Sequence, residues 1–201
     1  MSDYDLAEKT ILVTGGAGFI GSHIVESVVN RNDVRVLDSL STGSRDRLPA
    51  DVELIEGDIR DQETVEAAME GVDVVFHEAA MVSVPESVDR PRACHEVNGT
   101  ATVNILEAAR ANDSRVVFAS SAAIYGHPDG VPIAEDAPKG PASPYGLEKL
   151  TGDYYARIYA ERYGLETVSL RYFNAYGPGQ TGGQYSGVIS TFLEQARAGE
   201  P

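Results

Sequence analysis

Thr10-Ile-Leu-Val-Thr-Gly-Gly-Ala-Gly-Phe-Ile-Gly21 is the stretch that decides how this chain folds. The apolar run Ile11-Leu12-Val13 reads as a buried strand, and glycines follow at 15, 16, 18 and 21. Apolar residues at 20, 24, 25 and 28 then recur at helical spacing. Strand, glycine turn and helix, in that order, are the context in which a glycine fingerprint binds a dinucleotide. Gly15 serves the tight turn, Gly16 and Gly18 let the backbone approach a pyrophosphate, and Gly21 lets the helix pack on the strand. Around Phe19 and Ile20 the helix start offers free N–H groups and a partial positive charge to phosphates.

Residues 34–37 read as a second strand ending at Asp38. Asp38 lies 17 positions after Gly21, close to the ~20 expected of the acid that binds the adenosine ribose. Its charge would repel a 2′-phosphate, so the expected cofactor is NAD and not NADP. A third strand over 52–55 leads into Gly57-Asp58-Ile59. Asp58 and Ile59 are placed to flank an adenine; alternatively Asp58 caps a helix over 61–71. A fourth strand, 72–76, runs into His77-Glu78-Ala79-Ala80, where Ala79 and Ala80 are small enough for close approach of a cofactor. His77 reads as a packed strand-end histidine.

A long helix is expected from near Pro91 to Asn112, with Val97, Ala101, Ile105 and Ala108 on its core face. Strand five, 115–119, ends in Ser120-Ser121. The Pro- and Gly-rich stretch 126–144 is long for a structureless connection, which signals a functional loop. Pro144 opens the next helix, and Tyr145 and Lys149, at i and i+4, share one of its faces. Strand six covers 165–170, Arg171-Tyr-Phe-Asn174 follows, and a last helix runs from near Tyr185 to Ala198. Alternating strands and helices predict an α/β fold: a doubly wound parallel sheet covered on both faces. Ligands should gather outside the carboxyl ends of the strands, where Gly15, Gly18, Asp38, Asp58, Ala79, Ala80, Ser121 and Asn174 all fall.

The net charge of −15 excludes nucleic-acid binding through a basic face. No stretch is long and apolar enough to cross a membrane. The acidic start, Met-Ser-Asp-Tyr-Asp, has no signal-peptide pattern, and Cys94 is the sole cysteine, so the expected compartment is the cytoplasm. Thirteen Arg against three Lys, on an acidic background, resemble proteins of salt-accumulating, halophilic microbes; a GC-rich genome would also favour Arg over Lys. High salt would also lift the repulsion between this chain and anionic ligands, because the Debye length falls to ~3 Å at 1 M.

Gly-Gly-Ala-Gly-Phe-Ile-Gly, Asp38, Gly57-Asp58-Ile59, Ser121, Tyr145-x-x-x-Lys149 and Arg171-Tyr-Phe-Asn174 together resemble an extended short-chain dehydrogenase/reductase. Within that group the set is most similar to the NAD-dependent epimerase/dehydratase family, in its nucleotide-sugar branch of UDP-glucose 4-epimerases and their relatives. The resemblance implies a Rossmann-like domain over residues 1–175. Residues 176–201 would be the start of a substrate-binding region, with the C-terminal substrate domain absent or only begun. It implies NAD as cofactor, a UDP-hexose as partner, and Asn174 on the substrate diphosphate. It also implies a homodimer in which the helix over 91–111 and the helix over 145–163 pair across a two-fold axis into a four-helix bundle. Val103, Leu106, Tyr154 and Tyr155 would supply the contact.

The chemistry follows from the residue types. Oxidising a sugar C4 hydroxyl needs a base for its proton and a hydride acceptor for its carbon. Bringing a tyrosine from ~10 to ~7 takes ~4 kcal/mol. A lysine cation ~6 Å away contributes ~2.8 kcal/mol at an effective dielectric of ~20, and the oxidised nicotinamide supplies the rest. Tyr145 is therefore the expected base, Lys149 its activator and ribose ligand, and Ser121 the hydrogen-bond partner of the reacting oxygen. The related 4,6-dehydratases carry an Asp-Glu pair after the active-site Ser or Thr, and the matching Ala122 and Ala123 cannot drive elimination. An isomerase, the NAD-dependent 4-epimerase of UDP-glucose and UDP-galactose, is the leading reading. Another redox enzyme of the family and a catalytically silent NAD-binding module stay open. Two positions depart from the family pattern: Glu96 stands where many relatives have asparagine, and Glu78 where they have an apolar residue.

Overall fold

The computed structural model describes residues 5–180 and 188–199. Six parallel strands form one sheet: β1 (Thr10–Thr14), β2 (Asp33–Asp38), β3 (Glu53–Glu56), β4 (Val74–His77), β5 (Arg115–Ser121) and β6 (Thr167–Tyr172). Their order is β3-β2-β1-β4-β5-β6, so the winding reverses between β1 and β4. The fold is Rossmann-like, as the alternating pattern predicts.

β1 shows why such a sheet needs cover on two sides. Leu12 packs with Leu37, Val75 and Val116 in one core. Its neighbours Ile11 and Val13 point the other way and pack with Val34, Val36 and Val74 in a second. A continuous apolar run is what a strand buried on both faces requires. Helices α2 (Gln62–Met69) and α5 (Ala101–Asn112), with Tyr159 of α6 (Pro144–Tyr163), close the first core. Val25 of α1 (Phe19–Val28) closes the second. The expected cover is incomplete at the β6 edge, where Val168 and Leu170 remain 43% and 40% exposed.

Most predicted elements lie within one or two residues of those observed. α1 starts at Phe19, where the sequence places the helix start, directly after the extended Gly18. A short helix, α3 (Val84–Asp89), precedes the long one and is capped by Ser83. The long helix begins at Pro91 as expected, as α4 (Pro91–Cys94), but widens into a π-helical segment over His95–Thr100 before α5. Ala101, Ile105 and Ala108 face the core, as their spacing predicts, and Val97 is partly buried against it. Leu106 is buried too, so it is not available to the proposed dimer contact. α7 (Val188–Ala198) is the last helix, and its expected start near Tyr185 lies outside the described residues. Among the described residues no helix is long and apolar enough to cross a membrane.

Candidate active site at the carboxyl edge of the sheet

The glycine turn links β1 to α1 at the point where the sheet winding reverses. Gly15 has a φ of 69°, and a Cβ there would lie 2.7 Å from the backbone nitrogen of Ala79. A Cβ on Gly21 would lie 2.3 Å from the carbonyl oxygen of Gly15. Turn, helix and the segment after β4 are thus in backbone contact, and side chains there would force them apart. α1 has no side-chain cap and no acidic residue in its first turn. Its first N–H groups therefore remain available to an anion.

Asp38 ends β2 and is buried beside this turn. One carboxylate oxygen accepts from the Ala17 N–H at 2.9 Å and the other from the Leu40 N–H at 2.8 Å. The carboxylate is fixed at the edge and still has lone pairs for ribose hydroxyls. Glycine turn, uncapped helix start, Asp38, Ala79 and Ala80 therefore fit a dinucleotide. Asp58 is not a helix cap: the cap of α2 is Asp61, which accepts from the Glu63 N–H and the Thr64 hydroxyl. Asp58 instead pairs with Arg60, whose guanidinium holds its carboxyl below the ordinary carboxylate value. Ile59 is buried in the first core, so only its backbone can meet a ligand.

His77 is a packed histidine, as expected. Its Nδ1 lies 2.8 Å from the Thr14 hydroxyl and its Nε2 3.1 Å from the Thr102 hydroxyl. Because the Thr102 hydroxyl donates to the Asn98 carbonyl, Nε2 carries the ring proton and Nδ1 accepts from Thr14. Burial, aided by the nearby Lys149 charge, pushes the His77 pKa down to about 3. Folded His77 is then neutral in mild acid while unfolded His77 protonates below ~6.5. The unfolded state binds more protons in that range, so this stability is present above ~6.5 and is lost as the pH falls toward 3. We expect the unfolding free energy measured in urea to drop by about a few kcal/mol over that window, and His77→Gln to flatten the decline. Equal pH slopes for the two proteins would contradict this assignment.

α6 approaches β5 closely, since a Cβ on Gly152 would meet the Phe118 ring at 2.5 Å. Ser143 caps the helix, with its hydroxyl accepting from Gly146 N–H at 3.1 Å, and Pro144 follows. This docking gathers the three candidate catalytic side chains. The hydroxyls of Tyr145 and Ser121 interact. Lys149 is 4% exposed, its Nζ 6.0 Å from the centre of the Tyr145 ring. That ammonium donates to the Ala119 carbonyl at 2.7 Å. Burial brings the Lys149 pKa down to about 8, against the opposing pull of Glu78.

The expected lowering of the Tyr145 pKa is not a property of the protein alone. Burial raises it, and the hydrogen bond with Ser121 only partly offsets that. Asn174 sits apart from these three, in a cleft of about 410 Å³ lined also by Phe19, Ile20, His23 and Tyr176.

Several residues of this edge escaped the sequence reading. Asn98 grips Met81 with both ends of its amide, accepting from its N–H at 2.8 Å and donating to its carbonyl at 2.9 Å. An asparagine inside an apolar helix face was the available signal. Glu96 leaves this network intact, because it turns outward to Arg92 and Arg60. Asp153 joins Ser120 to Arg171, and Arg171 also donates to the Glu135 carbonyl, tying down the loop after β5. Glu78 accepts from the Tyr172 hydroxyl at 3.0 Å.

Comparison with known proteins agrees with this geometry. Residues 11–201 match the NAD dependent epimerase/dehydratase family. A putative UDP-glucose 4-epimerase of Methanocaldococcus jannaschii is 44% identical over 189 residues, which are 92% of this chain and 62% of that protein. The crystal structure of a UDP-glucose 4-epimerase from Thermus thermophilus in complex with NAD is 44% identical, with a TM-score of 0.89 over 96% of this chain and 64% of that one. A UDP-N-acetylglucosamine 4-epimerase from Methanobrevibacter ruminantium, solved with UDP-N-acetylmuramic acid, is 37% identical, with a TM-score of 0.92 over 97% of this chain and 64% of that one. The chain thus spans under two thirds of the length of each. With the glycine turn, Asp38 and the Ser121–Tyr145–Lys149 cluster on one edge of the sheet, it belongs to the NAD dependent epimerase/dehydratase family.

Proposed function

We propose that this chain carries the NAD-binding and catalytic part of a nucleotide-sugar 4-epimerase acting on UDP-glucose and UDP-galactose. The observation that carries the reading is the cluster of buried Ser121 and Lys149 with the partly buried Tyr145 at the carboxyl edge of the sheet. Tyr145 takes the proton of the C4 hydroxyl, and Ser121 holds the same oxygen. Lys149 supplies positive charge beside the phenol and a donor for the cofactor ribose. NAD would supply the reversible hydride acceptor for C4, on both sides of the ketone's rotation. The alanines after Ser121 place no acid or base there for elimination. Residues 1–175 form the NAD-binding unit in this reading, and 176–201 begin the substrate side, with Asn174 on the diphosphate. Gly15, Gly18, Phe19, Ile20 and Gly21 receive the pyrophosphate, Asp38 the ribose, Asp58 and Ile59 the adenine, and Ala79 and Ala80 the nicotinamide half.

Titration calorimetry on the chain tests the first half of the proposal. NAD is expected to bind at least about tenfold more tightly than NADP, because Asp38 faces the 2′ position. Equal affinities would remove Asp38 from the ribose site. Interconversion of UDP-glucose and UDP-galactose, assayed in a form as long as the relatives, tests the second half. Bound NAD without turnover there would favour a silent NAD-binding module.

The same reading makes the protein a cytoplasmic homodimer adapted to salt. Leu147, Tyr154, Tyr155 and Ile158 of α6 are exposed apolar side chains and give the bundle its contact face. The charge of −15 opposes association at low salt. Light scattering is expected to show a dimer whose share grows from low to molar KCl, and a monomer throughout would exclude it.

A further inference from the structure

We propose that Glu78 is the counter-charge of the nicotinamide end of the site, favouring the oxidised, cationic cofactor over the reduced, neutral one. The inference rests on the reading of this edge as an NAD site. Glu78 lies directly before Ala79, whose backbone abuts the Gly15 turn. Its Oε1 accepts from the Tyr172 hydroxyl at 3.0 Å, which holds the carboxylate across the end of β5, the strand that carries Ser121. Tyr172 faces it from β6, and Lys149 and Tyr145 from α6. Burial raises the proton affinity of Glu78, and the Tyr172 hydrogen bond and the Lys149 charge oppose that in favour of the carboxylate. His77, next to it on β4, is turned instead toward Thr14 and Thr102.

A carboxylate beside a base that must become a phenolate works against that base, and it raises the proton affinity of Tyr145. Its presence is accounted for by the other charges. Before hydride transfer the site would hold Lys149, the cationic ring, the Tyr145 phenolate and Glu78, which sum to zero. After transfer the ring is neutral and Tyr145 protonated, so Lys149 and Glu78 again sum to zero. Without Glu78 the site would carry a net positive charge in both states, in surroundings where burial already depresses Lys149. The ring cation is the charge that changes with oxidation state, so the carboxylate must discriminate between the two forms.

Separate titrations of the full chain with NAD⁺ and NADH test this, without any turnover. In Glu78→Gln the ratio of the NADH to the NAD⁺ dissociation constant is expected to fall by about tenfold, the scale of two unit charges ~10 Å apart at an effective dielectric of ~20. Glu78→Leu, with an apolar residue of similar size, should do the same and stands in if the Gln variant does not fold. Tyr172→Phe, which removes the hydrogen bond that holds the carboxylate but keeps Glu78, should lower the ratio in the same direction by less than Glu78→Gln does. Variants that fold, bind both forms and retain the wild-type ratio overturn the proposal while leaving the cofactor site standing. A wild-type chain that binds neither form overturns the NAD reading itself.

Discussion

Replacing Tyr145 by Phe should lower epimerase turnover by ~10²–10⁴-fold, the range for loss of a general acid–base group. The substitution keeps the ring, and the Tyr145 backbone N–H still donates to the Ser87 hydroxyl. NAD affinity should therefore be unchanged, because the proposed pyrophosphate and ribose contacts lie on the glycine turn, Asp38 and Lys149. The raised pKa of the partly buried phenol sharpens the prediction. The chain alone does not prepare the base, so its ionisation should appear only when a cation joins Lys149, which the oxidised cofactor provides. Lys149→Met should by contrast damage both NAD affinity and rate, since one side chain supplies the charge and the ribose donor. The measurements are kcat/KM on UDP-galactose, in a form long enough to turn over, and calorimetry with NAD. An unchanged rate in Tyr145→Phe would end the proposed mechanism.

Gly21→Ala should be the most damaging single-methyl change at the cofactor site. Alanine is a better helix former than glycine by ~1 kcal/mol, so propensity alone predicts a gain. The new Cβ would stand 2.3 Å from the Gly15 carbonyl oxygen and 2.7 Å from the Gly16 Cα. Both are backbone atoms of the turn and cannot rotate aside, so overpacking of ~1–3 kcal/mol or more wins. Relief requires α1 to move off the turn, which displaces the amides that would meet the pyrophosphate. We expect lower stability in urea and NAD affinity reduced at least about tenfold. A variant more stable than wild type with undiminished affinity would mean that the contact relaxes without touching the site.

Sequence patterning carried the succession of strands and helices along the chain well. Ile11, Leu12 and Val13 form a run that only a doubly covered strand can bury, and the glycines after it admit one kind of turn. Asp38, Tyr145 and Lys149 were legible because each sits at a fixed spacing from a recognisable element end. Asp58 was harder: a carboxylate at a strand end has the same local signature as a helix cap, and only the positions of Asp61 and Arg60 separate the two. Leu106 was misplaced because a helix read one face at a time gives no sign that α5 is buried over a wider arc.

The sequence by itself determined the parallel α/β architecture, the glycine turn, the acid that ends β2 and the Tyr145–Lys149 pair. These rest on local periodicity and on residue types with few alternative uses. Tertiary structure alone decided which distant groups act on that pair. Tyr172 and Glu78 are 94 residues apart and meet because β6 and β4 flank β5. Burial then sets the sign of the Tyr145 and Lys149 shifts. Desolvation and through-space charge depend on what the fold packs around a group, and no spacing along the chain encodes that.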